Sequence, residues 1–242
     1  MEDRIAIEAV GLTRRFGSLA ALDDLTLRVP AGSCFGLLGP NGAGKTTFLR
    51  LVTGLLLPSA GRILVDGRSP AAEPRAVAER LGFVMETSRL YPELRVEGFL
   101  RFLGGARGLR GAPLGAALER VVARFGLAPV ARRPIGQLSK GFQQRVSLAQ
   151  AFLCDPPLVI VDEPTGGLDP LQQDEVQELL RDLRGQRTVL LCTHDLREAR
   201  RLTDRVALLR AGRLVAEGPT PELLAGEDPL ALFRARVGEA TA

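Results

Sequence analysis

The chain has 242 residues, enough to bury a sizeable core within one domain, with 45% hydrophobic and 25% charged residues, the balance of an ordinary globular protein. No apolar run approaches the roughly 20 residues that span a bilayer, and the acidic start Met1-Glu2-Asp3-Arg4 does not read as a secretory signal. A net charge of +4 and a pI near 9.5 raise the question of a polyanionic partner, but the arginines are scattered, with doublets only at Arg14-Arg15, Arg132-Arg133 and Arg200-Arg201. That pattern reads as a solvated basic surface.

Cys34, Cys154 and Cys192 are odd in number, far apart and lack a CxxC pair, which argues against a disulfide framework or a structural zinc and fits a reducing cytosol. Each sits in an apolar stretch and is expected to be buried and inert. Arginine carries almost all the positive charge. The only lysines are Lys45 and Lys140, and His194 is the only histidine.

In chain order, residues 4–30 read as short alternating strands ended by Pro30-Ala31-Gly32, and residues 34–38 as a buried strand. A glycine loop follows, then a helix over 45–56, a strand over 62–65 with a turn at Asp66-Gly67, and an apolar run over 82–85. From Pro92 to about Ala151 the pattern is helical, broken by a Gly/Arg-rich loop at 104–113. Residues 158–161 return to a buried strand, 171–183 to a helix, 188–192 to a strand and 195–201 to a short helix; 206–209 and 213–215 read as edge-like strands. Strand–helix alternation at both ends of a helical middle implies an α/β fold whose parallel sheet carries an inserted helical subdomain.

Gly39-Pro40-Asn41-Gly42-Ala43-Gly44-Lys45-Thr46 matches G-x-x-x-x-G-K-[ST] and stands between an apolar strand and a helix. The glycines let backbone N–H groups turn inward around phosphate oxygens, and the helix adds its positive end. Lys45 is expected to reach the β- and γ-phosphates and the Thr46 hydroxyl to ligate Mg²⁺, with Thr47 next along the same site. Leu158-Val159-Ile160-Val161-Asp162-Glu163 puts Asp162 at the carboxyl end of a buried strand, the edge where open α/β sheets bind ligands. A carboxylate there can hold Mg²⁺ directly or through water. Glu163 points away from Asp162, and with Pro164 ending the strand it is placed to polarise an attacking water as general base.

Between these motifs, Leu138-Ser139-Lys140-Gly141-Phe142-Gln143-Gln144-Arg145 resembles the signature of the ABC ATPases, whose commonest form is LSGGQ. Gly166-Gly167-Leu168-Asp169 resembles that family's D-loop, Thr193-His194-Asp195 its switch histidine, and Phe16 stands where an aromatic stacks on adenine. The ordered set covers essentially the whole chain. The resemblance implies a P-loop NTPase (RecA-like) parallel-sheet core with an N-terminal antiparallel β subdomain and an inserted α-helical subdomain. Its boundaries are expected at 1–86 with 155–218 for the core, 87–154 for the helical subdomain and 219–242 for a short tail.

The resemblance further implies a head-to-tail dimer, read here as a homodimer, with two Mg-ATP at the interface. Each ATP is expected between the 39–46 loop of one subunit and the Ser139–Gly141 segment of the other, at the start of a helix over about 142–153. His194 is expected to hydrogen-bond the γ-phosphate and orient the water, and Asp169 to link the two sites. The family's partner is an integral-membrane permease, which places the chain in the cytoplasm, peripheral on the inner face of the cell membrane, with no nucleic acid expected.

Two positions depart from the common pattern. Glu86 stands where most members have a glutamine; an acid keeps a Mg²⁺- or water-binding oxygen but adds charge. Lys140 and Phe142 replace the usual glycine and glutamine of the signature, while Ser139 and Gly141 are kept. Both departures resemble the ATPases of exporters that pair with small six-span permeases. Soluble members acting on nucleic acid or ribosomes carry two cassettes, zinc modules or long coiled coils, none of which occurs here. Retained Glu163 and His194 argue against a cassette that only binds ATP. The stretch from Met85 to Phe102, with Tyr91, Phe99 and Phe102, reads either as the permease-docking region or as filling for the helical subdomain's core.

Overall fold

The computed structural model describes residues 4–86 and 90–225. The first three residues, residues 87–89 of the aromatic stretch and the tail from residue 226 on lie outside the described residues. In chain order the elements are β1 (Ile5–Phe16), β2 (Leu19–Pro30), β3 (Cys34–Leu38), α1 (Lys45–Val52), β4 (Ala60–Val65), α2 (Pro74–Ala78) and β5 (Leu81–Val84). Then come α3 (Val96–Ala106), α4 (Gly111–Arg124), α5 (Lys140–Ala151), β6 (Leu158–Asp162), α6 (Pro170–Arg181) and β7 (Thr188–Thr193). The last are α7 (Leu196–Leu202), β8 (Arg205–Arg210), β9 (Arg213–Pro219) and α8 (Thr220–Leu223). Among the described residues, no helix is long and apolar enough to cross a membrane.

The chain forms two compact units: Met1–Ala78 with Arg184–Ala242, and Glu79–Leu183. In the first unit, β1 pairs antiparallel with β2 and with β4. The β1–β2 hairpin closes at Phe16↔Leu19 over Gly17, whose φ of 59° suits glycine. Both strands run 12 residues, longer than the short strands expected, because bulges let Ile7, Ala9 and Leu12 keep facing the core. Strand β3 lies between β7 and β8, parallel to both, and every residue of β3 and β7 is buried, as continuous apolar runs require.

Strand β8 is not the edge strand expected: it pairs with β3 on one side and antiparallel with β9 on the other, and its Val206–Leu209 run is buried. Helix α1 stops at Val52 rather than 56, since Gly54 turns the chain with φ 74° and leaves Leu55 and Leu57 exposed.

In the second unit, β5 and β6 run parallel in register from Leu81↔Leu158 to Val84↔Val161. Helices α3, α4 and α5 bury Phe99, Leu100, Val121 and Leu148, with the rings of Phe125 and Phe152 tilted against each other, 5.4 Å apart between centres. The Gly/Arg-rich loop expected at 104–113 is much shorter. Helix α3 continues to Ala106 and α4 opens at Gly111, because Gly104 lets α3 approach Leu114 closely. Helices α2 and α8 are too short to show a sequence period. Cys34 and Cys192 are buried as expected, whereas Cys154 is half-buried at the end of the turn that follows α5.

Candidate functional site

In the first unit, β3 feeds the 39–46 loop straight into α1. The loop has its shape for steric reasons. A Cβ on Gly39 would come within 2.5 Å of the Leu209 carbonyl, and one on Gly44, whose φ is 108°, within 2.6 Å of the Ala21 carbonyl. The Ala43 N–H donates to the Pro40 carbonyl at 3.1 Å, and the Gly212 N–H donates to the Ala43 carbonyl at 3.0 Å, tying the loop down. Pro40, Asn41, Gly42 and Thr46 stay exposed and Thr47 is half-buried, while Ala43, Gly44 and Lys45 are buried. The first N–H groups of α1 have no partner within their own helix and, with the positive end of the dipole, can receive an anion. Lys45 begins that helix, 7% exposed, and its Nζ donates to the Gly39 carbonyl at 2.6 Å.

The pairing of β3 with β7 brings Leu38 opposite Thr193, so the glycine loop and His194 leave the same edge of neighbouring strands. Thr193 is fully buried; His194 is exposed. Asp195 caps α7, accepting from the Arg197 N–H at 2.7 Å, and its own N–H donates to the Thr193 hydroxyl at 3.0 Å. His194 is thus held between two anchored neighbours. Phe16, at the end of β1, is 43% exposed, and the Arg14 guanidinium stands 4.6 Å from its ring centre.

In the second unit, Asp162 ends β6 and is 7% exposed. Glu86 follows β5 and is exposed, so the two acids leave the same edge of adjacent parallel strands. Glu163 has φ 47°, a left-handed conformation that costs a non-glycine residue on the order of 1 kcal/mol or more and that turns it out of the line of β6. The turn is braced by the Gly166 N–H donating to the Glu163 carbonyl at 3.2 Å.

Ser139 is the N-cap of α5: its hydroxyl accepts from the Phe142 N–H at 3.3 Å. Gly141 is buried, and a Cβ there would stand 3.0 Å from the Gln172 Cγ of α6. A side chain at this position would require the Gln172 side chain to give way by a few tenths of an ångström. Asp169 is exposed and caps α6 by accepting from the Gln172 N–H at 3.0 Å, and the Gln173 amide donates to the Leu168 carbonyl at 3.1 Å. Lys140 is exposed beside Gly167, 3.7 Å from where a Cβ would stand.

The aromatic stretch divides. Phe99 is buried in the helical core, whereas Tyr91 and Phe102 are about half exposed, with ring centres 6.5 Å apart. Met85, Tyr91, Phe99, Leu103, Arg107 and Gln150 are among the residues lining a cavity of about 350 Å³. Arg14, two residues before Phe16 in β1, comes to lie on the same face of the strand as that ring.

Hydroxyl and carboxylate oxygens at Thr46, Asp162 and Glu86 are hard donors suited to Mg²⁺. No cluster of three or more His, Cys, Asp or Glu side chains able to hold a metal occurs among the described residues.

A glycine loop between a buried parallel strand and a helix, with an acid-tipped strand elsewhere in the chain, defines a P-loop NTPase. Residues 22–166 match the family described as ABC transporter, and the chain belongs to that family, whose members are ATPases. It is 41% identical over 221 residues to the daunorubicin resistance ATP-binding protein DrrA3 of Streptomyces coeruleorubidus, covering 91% of this chain and 70% of that one. It is 37% identical to the Nod factor export ATP-binding protein I of Rhizobium johnstonii over 88% of this chain and 69% of that one. It is also 38% identical to the probable multidrug ABC transporter ATP-binding protein YbhF of Escherichia coli, spanning only 38% of its length. Among solved structures, an ATP-binding subunit of an ABC transporter superposes with a TM-score of 0.84 at 32% identity, covering 96% of this chain and 99% of that one. CbiO1 of Clostridium perfringens, part of the transporter complex cbiONQ, superposes at 0.85 and 26% identity, covering 99% and 98%.

Proposed function

We propose that the chain is the ATP-hydrolysing subunit of an export system, dimerising head-to-tail around two Mg-ATP and driving a separate membrane permease. The observation that carries the nucleotide half is the Leu38↔Thr193 pairing, which sets the phosphate loop and His194 at one sheet edge. Export rests on the names of the relatives, one a drug-resistance protein and one a Nod factor exporter. By function we assign 1–86 with 155–218 to the ATP-binding core, 87–154 to a helical subdomain and 219–242 to the tail. Strands β5 and β6 are assigned to the core because Glu86 and Asp162 leave them.

In this reading the loop N–H groups and Lys45 hold the phosphates and Phe16 stacks on the base. Thr46 and Asp162, with Glu86 near them, would hold Mg²⁺, which when bound would supply charge neutralisation for the phosphates. Glu163 takes the proton of the attacking water, and His194 orients that water and donates to the γ-phosphate. Ser139, Gly141 and the α5 N-terminus of a second copy cover the γ-phosphate, while Asp169 passes the state of one site to the other. ATP thereby holds the dimer closed and hydrolysis releases it. The half-exposed Tyr91, which lines the 350 Å³ cavity, and Phe102 packed edge-on against it supply an apolar seat for a permease segment, which keeps the chain at the cytoplasmic face of the membrane.

The test is capture from detergent-solubilised membranes of the producing organism. An integral-membrane protein should co-purify and raise the ATPase rate. Recovery of ribosomes or DNA with no membrane protein would overturn the transport reading.

A further inference from the structure

Arg14 is half-buried, and its contacts are divided between a backbone and a ring. Its Nη1 donates to the Leu57 carbonyl at 3.0 Å, just beyond the turn that ends α1, and its guanidinium carbon stands 4.6 Å from the centre of the Phe16 ring. Its Nε is buried with no hydrogen-bond partner among the described residues. A guanidinium that has lost water on this side gains more from an aromatic face than an exposed one does. Phe16 keeps 43% of its surface exposed despite this cover.

We propose that Arg14 is a positioning residue for the nucleotide base: anchored on Leu57, it backs one side of Phe16 and presents the open face to a purine. This rests on the reading that Phe16 stacks on the base. Two physical effects act together. The anchored guanidinium restricts the ring's rotamers, so less freedom is lost when a base arrives. The cation also draws π density toward itself, which lessens the repulsion between the opposite face of the ring and an electron-rich purine. Neither effect touches the phosphates, so Arg14 governs only the part of the affinity that the base contributes.

The experiment compares wild type with Arg14→Ala, Arg14→Lys and Phe16→Ala. Titration calorimetry gives each protein's affinity for ATP and for inorganic tripolyphosphate, which has no base, and thermal unfolding checks folding. Arg14→Ala is expected to weaken ATP binding about three- to tenfold while leaving tripolyphosphate binding within about twofold. Arg14→Lys should recover part of the loss, and Phe16→Ala should lose at least as much as Arg14→Ala. The ratio of the two affinities is internal to each sample, so a modest change in stability does not blur it. If Phe16→Ala weakens ATP selectively and Arg14→Ala does not, the proposal is wrong and base stacking stands. If Arg14→Ala weakens ATP and tripolyphosphate alike, the residue is merely structural and the proposal is wrong. If Phe16→Ala leaves ATP binding unchanged, the stacking reading itself falls, and the role of Arg14 with it.

Discussion

The Lys45 ammonium donates to the carbonyl of Gly39, 2.6 Å away, at the opposite end of the glycine loop. A nearly buried cation is thus held on a backbone oxygen at the mouth of an anion-binding loop. A compact ammonium on a flexible stem can move from carbonyl to phosphate, a role the rigid fork of a guanidinium does not reproduce. Lys45→Ala and Lys45→Arg are both expected to lower ATP affinity by more than about 100-fold, a loss appropriate to a desolvated charge contact. Calorimetric titration checks this, with circular dichroism to show the fold is kept. Unchanged affinity in either variant would refute the role of the loop.

Glu163 combines a catalytic assignment with a strained backbone, φ 47°. Glu163→Gln should cut turnover by about 10²–10⁴, the range for loss of a general base. Glu163→Gly should be equally inactive yet no less stable, because glycine adopts the left-handed conformation without the Cβ penalty. Steady-state ATPase assays and thermal unfolding read the two effects separately. A Gly variant that unfolds well below wild type would show that the turn carries no strain worth relieving.

Gly141 tests whether the signature's glycine serves packing or phosphate. A Cβ there meets the Gln172 side chain at 3.0–3.1 Å, so Gly141→Ala is expected to cost about 1 kcal/mol and much of the activity. Adding Gln172→Ala should restore the stability. If it restores the ATPase rate as well, the need for glycine is internal packing. If the double variant is stable and inactive, the close approach to phosphate is the reason. Denaturant unfolding beside ATPase rates decides.

Burial, reinforced by the Asp204 carboxylate and opposed by the Arg184 guanidinium, pushes the Cys34 thiol up from 9.0 to about 12. The Cys34 N–H donates to that carboxylate at 2.8 Å, and Arg184 pairs with it. The folded protein therefore holds the thiol proton more tightly than the unfolded chain. This contribution to stability is whole below about pH 9 and declines as pH rises from there toward 12. Native Cys34 should resist alkylation at pH 8, and the fall in stability between pH 9 and 12 should be shallower in Cys34→Val. Mass-spectrometric labelling and pH-dependent unfolding are the checks. Rapid labelling of the native protein would contradict the burial.

The strands and helices that carry chemistry were legible in the sequence because each is punctuated. Cys34–Leu38 and Leu158–Asp162 are apolar runs bounded by a glycine loop or an acid–proline step, and Ser139 and Asp169 are cap residues directly before helices. What was not legible depends on partners distant in the chain. Nothing local shows that β8 is covered by β3 and β9, or that Gly104 lets α3 run on by making room for Leu114. The glycine at position 141 reads as a motif, and only the fold reveals Gln172 beside it. Arg14 was hidden for another reason: its contact with Phe16 follows from strand periodicity, but a surface arginine in an arginine-rich chain carries no signal of its own.

The head-to-tail ATP clamp is tested most directly by the mass of Glu163→Gln in solution, measured by light scattering with and without Mg-ATP. The prediction is a shift from about 26 kDa to twice that mass on adding Mg-ATP, abolished when either Lys45→Ala or Ser139→Arg is combined with it. A protein that binds Mg-ATP with full affinity and stays at the monomer mass would contradict the clamp, and a dimer indifferent to Ser139→Arg would contradict its head-to-tail arrangement.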